Sequence, residues 1–219
     1  MTLYPLGISR SRDLPHVARE STAGQVAVRW VLADKLAGAA FDAPQVSPTP
    51  LQHAAALEAI HRRICVLPMQ FAAVPRDEAE IRSLLETRHQ DLLQQLDRLE
   101  GTCEMGLRVV LPKRPAARVN PSPRTSPPAS YLNERRAYYQ LHDSLSEQAC
   151  MTAEHLVREL RDTYRNWQRL TSPPDLLRLA FLVERERVGI FRKCLRASMA
   201  GDSGHQWILL GPWPPYSFV

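Results

Sequence analysis

The chain has 219 residues, four cysteines and a formal net charge of +5, enough for one large domain or two small ones. No apolar run approaches the roughly 18 residues of a membrane span, and the N-terminus lacks the apolar core of a secretory signal. The cysteines form no CxxC pair, which argues against a zinc site, and scattered thiols are typical of a cytoplasmic protein. We therefore expect no lipid-membrane partner and no metal.

The positive charge is concentrated in one proline-rich segment, residues 112–130, while acids and bases are interspersed elsewhere. The segment contains no acid and four bases, Lys113, Arg114, Arg118 and Arg124. No aromatic platform accompanies these charges, so a solvated spacer is favoured over a nucleic-acid site. We predict a linker here and no nucleic-acid partner.

The first half of the chain predicts alternating strands and helices in the order ββαβαβ. Alternating apolar residues predict strands, and a capping box with proline at the first helical position predicts the first helix. A leucine stripe predicts the second helix. The predicted strands cover residues 3–8, 25–32, 64–71 and 103–111, and the predicted helices cover 49–63 and 77–99. These elements predict an N-terminal α+β domain over residues 1–111.

The second half, residues 131–211, predicts another α+β domain. A helical face runs from residue 131 to about 161, and its period alone allows continuation to Trp167. A strand over 177–183, a helix over 184–198 and a final strand over 207–210 follow. The fold class is therefore α+β, with two layered domains joined by the Pro/Arg-rich linker. Each is predicted to be a ferredoxin-like mixed sheet with helices on one face.

The last eight residues, 212–219, form a proline- and aromatic-rich tail. Prolines lack a backbone donor and keep the chain extended, and such a concentration of aromatics is typical of a segment that docks. Docking on the tail's own domain and docking on a partner are both open, and we expect the first. Trp213 is the expected main anchor, with Phe218 partly available. The candidate contact residues are Trp213, Pro215, Tyr216 and Phe218.

Several stretches of the chain resemble the gas vesicle protein F/L (GvpL/GvpF) family, in the family's order. The most specific are the ending Gly-Pro-Trp-Pro-Pro-Tyr-Ser-Phe (211–218) and Val-Leu-Pro-Met-Gln-Phe (66–71), preceded by His53. Leu-Glu-Gly (99–101) before Glu-Met-Gly-Leu (104–107) adds to them, and Leu-Val-Glu (182–184) precedes Phe191. The resemblance covers nearly the whole chain. It also implies a strand over 164–170.

The resemblance implies an accessory protein that binds the major gas vesicle shell protein, and works with other accessory proteins, during vesicle biogenesis. It implies a location at the gas vesicle, in some members on the gas-facing side, and no cofactor. A soluble protein that offers apolar surface is a sensible partner for an apolar shell subunit.

The sequence contains no recognised catalytic motif. No phosphate-binding loop, dinucleotide fingerprint, zinc-protease or serine-hydrolase signature occurs. His53 and His61 lie on one helix without an acid to complete a metal set, and Glu184 to Arg187 point to different faces of a helix. We predict no enzyme. The alternative is a small-molecule enzyme or regulatory module on tandem ferredoxin-like halves, for which a pocket lined by His and Arg would be the sign.

Overall fold

Nine strands and five α-helices are formed by the residues that the computed structural model describes, which are 3–16, 22–23, 26–42, 48–71, 77–112, 127–200 and 204–219. The elements are β1 (Leu3–Arg10), β2 (Thr22–Ala23), β3 (Val26–Ala33), β4 (Leu36–Asp42), α1 (Pro50–His61), β5 (Leu67–Pro68), α2 (Glu78–Thr87), α3 (His89–Leu99), β6 (Thr102–Val110), α4 (Pro127–Glu159), β7 (Asn166–Leu170), β8 (Leu176–Glu184), α5 (Val188–Met199) and β9 (Gln206–Trp213). Two compact units result. The first contains residues 1–104 and 212–219, and the second contains residues 105–211.

The first sheet has the strand order β2-β3-β4-β1-β5, and its registered pairs are antiparallel. Strand β4 was not predicted, because its core sequence Leu-Ala-Gly-Ala-Ala alternates neither in size nor in polarity. It nevertheless pairs with both β3 and β1, after a tight turn in which Asp34 takes a positive φ of 50°. The ferredoxin-like strand order expected for this domain is wrong, because the β3–β4 hairpin adds a strand. The expected mixed pairing is also wrong, because the registered pairs are antiparallel.

Helices cover both faces of the first sheet, whereas one face was predicted. Ala39 belongs to a core cluster with Ala56 and Leu57 of α1. On Gly38, the neighbouring residue of the same strand, a Cβ would lie 2.7 Å from the Ile81 side chain of α2. Because successive strand residues point to opposite faces, α1 and α2 lie on opposite sides of β4. The small residues that hide β4 from sequence patterns are what allow this close approach.

The predicted helix over 77–99 is two helices, α2 and α3. Asp77 caps α2 through its side chain, which accepts the Glu80 N–H at 2.8 Å. Arg88 leaves helical geometry, with φ −105° and ψ 21°, and divides the two helices. The predicted apolar stripe is confirmed except at Leu84, which is half-buried. Its other members are buried on both helices; they are Ile81, Leu85, Leu92, Leu96 and Leu99.

The second sheet has the order β7-β8-β6-β9, and the elements follow the sequence β6-α4-β7-β8-α5-β9. This is the ferredoxin-like arrangement, so the predicted fold class is confirmed and its particular topology is found in the second sheet. The β7–β8 pair is an antiparallel hairpin. Strand β6, expected in the N-terminal domain, lies in the interior of this sheet, and Met105, Leu107 and Val109 join the second unit's core.

Two boundaries differ from the prediction for reasons of proline chemistry. Helix α4 begins at Pro127, inside the predicted linker, because proline suits the first turn of a helix. Strand β9 continues through Pro212 to Trp213, although prolines were expected to end it, because it lies at a sheet edge where a missing N–H is tolerated. The rest of the predicted linker, residues 113–126, lies outside the described residues.

Candidate functional site

The C-terminal tail belongs to the first unit, although it follows the last strand of the second sheet in sequence. Pro214 and Pro215 are buried. A single helical turn then covers Tyr216–Phe218, in which the Phe218 N–H donates to the Pro215 carbonyl at 3.1 Å. The tail is therefore a folded part of the N-terminal unit, with two buried prolines followed by a hydrogen-bonded turn.

The aromatic residues of the tail differ in burial. Phe218 is 9% exposed, whereas Trp213 is 37% exposed and Tyr216 is 41% exposed. The expectation that Trp213 is the main anchor and Phe218 partly available is thus reversed. The turn explains the reversal, since it directs the Phe218 side chain inward one residue after Ser217 is fixed by hydrogen bonds.

Glu104 of β6 holds the tail through both of its carboxylate oxygens. The Ser217 backbone N–H donates to Oε2 at 2.7 Å, and the Ser217 hydroxyl donates to Oε1 at 2.8 Å. Glu104 is 5% exposed, and this burial raises the pKa of its carboxyl group, an effect that the two Ser217 hydrogen bonds oppose. A buried carboxylate with two aligned donors is a specific recognition element, because hydrogen bonds to charged groups are the strong ones.

The end of the tail makes two further contacts in the same unit. Arg98 of α3 donates from Nη2 to the Phe218 carbonyl at 3.5 Å. Val219 borders a cavity of about 330 Å³, whose lining is apolar except for Arg88 and Gln95 of the helices. The remaining lining residues come from β1, β5, the residue after β5, α2 and α3; they are Ile8, Leu67, Pro68, Met69, Leu84 and Leu92. Helix α3 therefore bonds to the backbone of Phe218 and lines the same cavity as Val219.

Tyr216 keeps part of its ring in solvent but lies near acidic groups. Partial burial raises the pKa of its phenol, and the carboxylates of Glu58 and Glu104 raise it further because they disfavour a second negative charge. Tyr216 is therefore a neutral, hydroxyl-bearing aromatic surface. Trp213 and Tyr216, which flank the buried prolines in sequence, are therefore the partly exposed aromatics of the tail.

A second feature of the first unit is the buried His53, which contacts the last residue of the Val-Leu-Pro-Met-Gln-Phe stretch. The His53 ring Nε2 lies 3.0 Å from the Pro5 carbonyl and must carry the proton to donate to it. The Phe71 ring meets the His53 ring edge-on at 5.6 Å between centroids. Burial lowers the pKa of His53, so the ring is neutral in the folded unit and its stabilising contribution is lost as the pH falls through that lowered pKa. His53 is a packing residue that joins α1 to β1.

The four candidate contact residues divide into two pairs in the structure. Pro215 and Phe218 are buried, whereas Trp213 and Tyr216 are partly exposed. Sequence reasoning missed Ser217 and its partner Glu104. The available signal was an acidic residue between the apolar Cys103 and Met105 of a predicted strand, since a buried carboxylate requires donors.

Among the residues that the structure describes, no three His, Cys, Asp or Glu side chains are grouped as metal ligands. Within the same ranges, none of the helices combines the length and apolarity needed to cross a membrane. The most developed feature of the described residues is therefore the seat of the tail, by which we mean the groups of Arg98 and Glu104 that bind Phe218 and Ser217.

Fold and site together define a two-unit α+β protein whose proline-rich C-terminus is bound as part of its N-terminal unit. The sequence model of "Gas vesicle synthesis protein GvpL/GvpF" matches residues 3–219. The chain is 31% identical over 180 residues to gas vesicle protein L of Streptomyces sp. (strain CB03234), covering 76% of this chain and 67% of the relative. This chain therefore belongs to the GvpL/GvpF family of gas vesicle proteins.

Solved structures agree with this fold. The crystal structure of gas vesicle protein GvpF from Anabaena sp. PCC7120 matches with a TM-score of 0.78 at 17% identity, covering 99% of this chain and 95% of that one. GvpF from Microcystis aeruginosa matches with a TM-score of 0.70 at 13% identity, covering 99% and 98%. At these identities the structural likeness supports the fold.

Proposed function

We propose that this protein is an accessory component of gas vesicle assembly that binds the major shell protein and other gas vesicle proteins during biogenesis. The observation that carries the proposal is the family match, which extends over residues 3–219 and so includes both units and the docked tail. The proposed location is the gas vesicle. The role is one of binding and assembly, with no chemical step.

The tail is the proposed contact surface for a partner. Trp213 and Tyr216 keep more than a third of their surface in solvent, whereas Phe218 is buried. Partly exposed aromatics on a rigid, anchored segment are typical of interface residues, because they supply contact area without a large loss of side-chain freedom. In this proposal Pro215 and Phe218 hold the segment and Trp213 and Tyr216 touch the shell protein.

Affinity purification from a vesicle-forming cell tests the proposal. The tagged protein should co-purify with the shell protein, identified by mass spectrometry, and Trp213→Ala and Tyr216→Ala should each reduce the recovered shell protein. Leu51→Ala is the matched control, because Leu51 lies on α1 and is 79% exposed, so it removes exposed apolar surface elsewhere on the same unit. Equal loss in all three variants, or no shell protein with the unmodified chain, would contradict the assignment.

The absence of a chemical step is tested separately. We expect that no single substitution of a His, Cys or Asp residue abolishes vesicle formation while leaving the fold and partner binding intact. The folded state is monitored by circular dichroism and binding by the same co-purification. One residue with that behaviour would establish a catalytic role, because truncating a reactive group removes the reaction without removing the structure.

A further inference from the structure

Strand β7 forms one edge of the second sheet, and most of its side chains are exposed there. In the strand order β7-β8-β6-β9 it pairs with β8, and among the described residues no strand lies on its other side. Asn166, Trp167 and Arg169 are exposed. An uncovered edge strand presents unpaired backbone N–H and C=O groups, which are a template for a further strand. The edge is therefore a surface on which a strand of another chain can pair.

A backbone hydrogen bond shows which residues of β7 face outward. The Trp167 N–H donates to the Asn166 side-chain oxygen at 2.8 Å, so it points away from β8. Backbone groups of successive residues in an antiparallel strand alternate between its two sides. Arg169 therefore faces outward with Trp167, and Gln168, which lies between them, faces β8. The Asn166 amide occupies the first outward donor through a local bond, which a backbone carbonyl of another strand can replace.

The side chains of Trp167 and Arg169 share one face of the sheet. Trp167 is registered opposite Phe181. Arg169 is registered opposite Leu179, and both of these β8 residues belong to the second unit's core. Arg169 accordingly reaches α4, where its Nη1 lies 3.1 Å from the Cys150 Sγ. An indole ring and a guanidinium group thus lie two residues apart on the helix-covered face, at the outward edge.

We propose that β7 pairs antiparallel with β7 of a second copy of this chain, with Gln168 of each copy at the two-fold axis. In this register Trp167 of one copy lies opposite Arg169 of the other, and the pair occurs twice. Both residues face outward, so the members of each pair exchange backbone hydrogen bonds across the seam between the two strands. The same register brings each guanidinium group beside the other copy's indole ring, where cation–π attraction stabilises the pair.

Charge selects this register and points to a second copy as the partner. Centring the pairing on Arg169 would place two arginines directly opposite each other, and like charges in that position are destabilising. Centring it on Trp167 would place Arg169 opposite another arginine, Arg165. Centring it on Gln168 matches each outward donor with an acceptor and each Arg169 with an aromatic ring. The edge of β7 is therefore complementary to itself, which favours a second copy over an unrelated strand.

The seam is short, so the dimer is expected to be weak and reversible. Strand β7 has five residues, whereas stable interfaces take roughly 20–30 residues from each partner. Dimerisation should therefore depend on concentration, with a dissociation constant of roughly 10 μM to 1 mM.

Analytical ultracentrifugation of the full chain tests the pairing. Arg169→Ala keeps the backbone donor and should weaken dimerisation by about fivefold or more, because both cation–π contacts are lost. Arg169→Pro should weaken it by at least a further tenfold, because it also removes the outward N–H while leaving the bonds to β8 in place. A chain that is monomeric at about 1 mM, or a proline variant that dimerises as well as the alanine variant, would overturn the proposal.

Amide hydrogen exchange measured by NMR covers the case in which the proline variant fails to fold, because it uses the unmodified chain. As the concentration rises, exchange at the Trp167 and Arg169 amides should slow by about threefold or more, since these amides become bonded across the seam. Exchange at Gln168, whose amide faces β8, should not change, and dilution should reverse the effect. Dimerisation without slower exchange at Trp167 and Arg169 would overturn the assignment of β7 as the seam.

Discussion

Truncation of Phe218 is expected to destabilise the first unit, although the residue follows the second unit in sequence. Phe218 is 9% exposed, and an aromatic ring buries roughly 150–250 Å² on folding. At about 25 cal/mol per Å² this area corresponds to roughly 4–6 kcal/mol, and measured Phe-to-Ala losses in cores are about 3–5 kcal/mol. We therefore expect Phe218→Ala to cost about 3 kcal/mol.

The matched comparison is Trp213→Ala. Trp213 is the larger side chain, but it is 37% exposed, so water fills the space that truncation leaves and little cavity penalty is added. We expect a loss of about 2 kcal/mol or less. At about 2–4 °C per kcal/mol for a protein of this size, Phe218→Ala should lower the melting temperature by roughly 6–12 °C and Trp213→Ala by clearly less.

Hydrogen exchange locates the loss. Amides of β1 and β4 report on the first unit, and amides of β8 report on the second. A loss of 3 kcal/mol should speed global exchange of the first set by about a hundredfold and leave the second set unchanged. Faster exchange in β8 alone, or a larger effect of Trp213→Ala than of Phe218→Ala, would refute the reasoning that Phe218 anchors the tail to the first unit.

Three further predictions follow from the geometry. Gly38→Ala should destabilise the first unit by about 1–3 kcal/mol in urea titrations, because its new methyl group would meet Ile81 at 2.7 Å. Gly189→Ala in α5, where nothing lies within 4 Å of the new methyl group, should stabilise the protein by about 0.5–1 kcal/mol. Equal effects of the two substitutions would argue against the close approach of α2 to β4. Because burial raises the pKa of Glu104, the folded unit binds its proton more tightly than the unfolded chain, so the contribution of Glu104 to stability should rise as the pH falls through the raised pKa towards the ordinary value of 4.5. Glu104→Gln should remove that slope, and a parallel pH profile for both proteins would count against it. Composition predicts that limited trypsin digestion cuts residues 113–124 before α2 or α3, and protection of every base there with early cleavage in those helices would contradict the proposed linker.

The sequence by itself determined the elements whose side-chain patterns are regular. The capping box at Thr49 and Gln52 predicted α1, and both of its hydrogen bonds are present. The alternation of Leu177, Leu179 and Phe181 predicted β8, and these side chains fill the second core. Such patterns are visible in a sequence because they depend on residues within one or two turns of each other. The motifs that carry the family resemblance were visible for the same reason.

Tertiary structure alone decided where three of these pieces belong. Strand β6 has the same alternation whichever sheet it joins, and β4 has almost none, because its Gly and Ala residues serve the approach of helices from both faces. The tail's aromatics indicated docking, but their order of burial depends on Glu104, which is more than a hundred residues away. Long-range pairing of this kind leaves no periodic trace in the sequence, so the seat of Phe218 and Ser217 emerges only when the chain is folded.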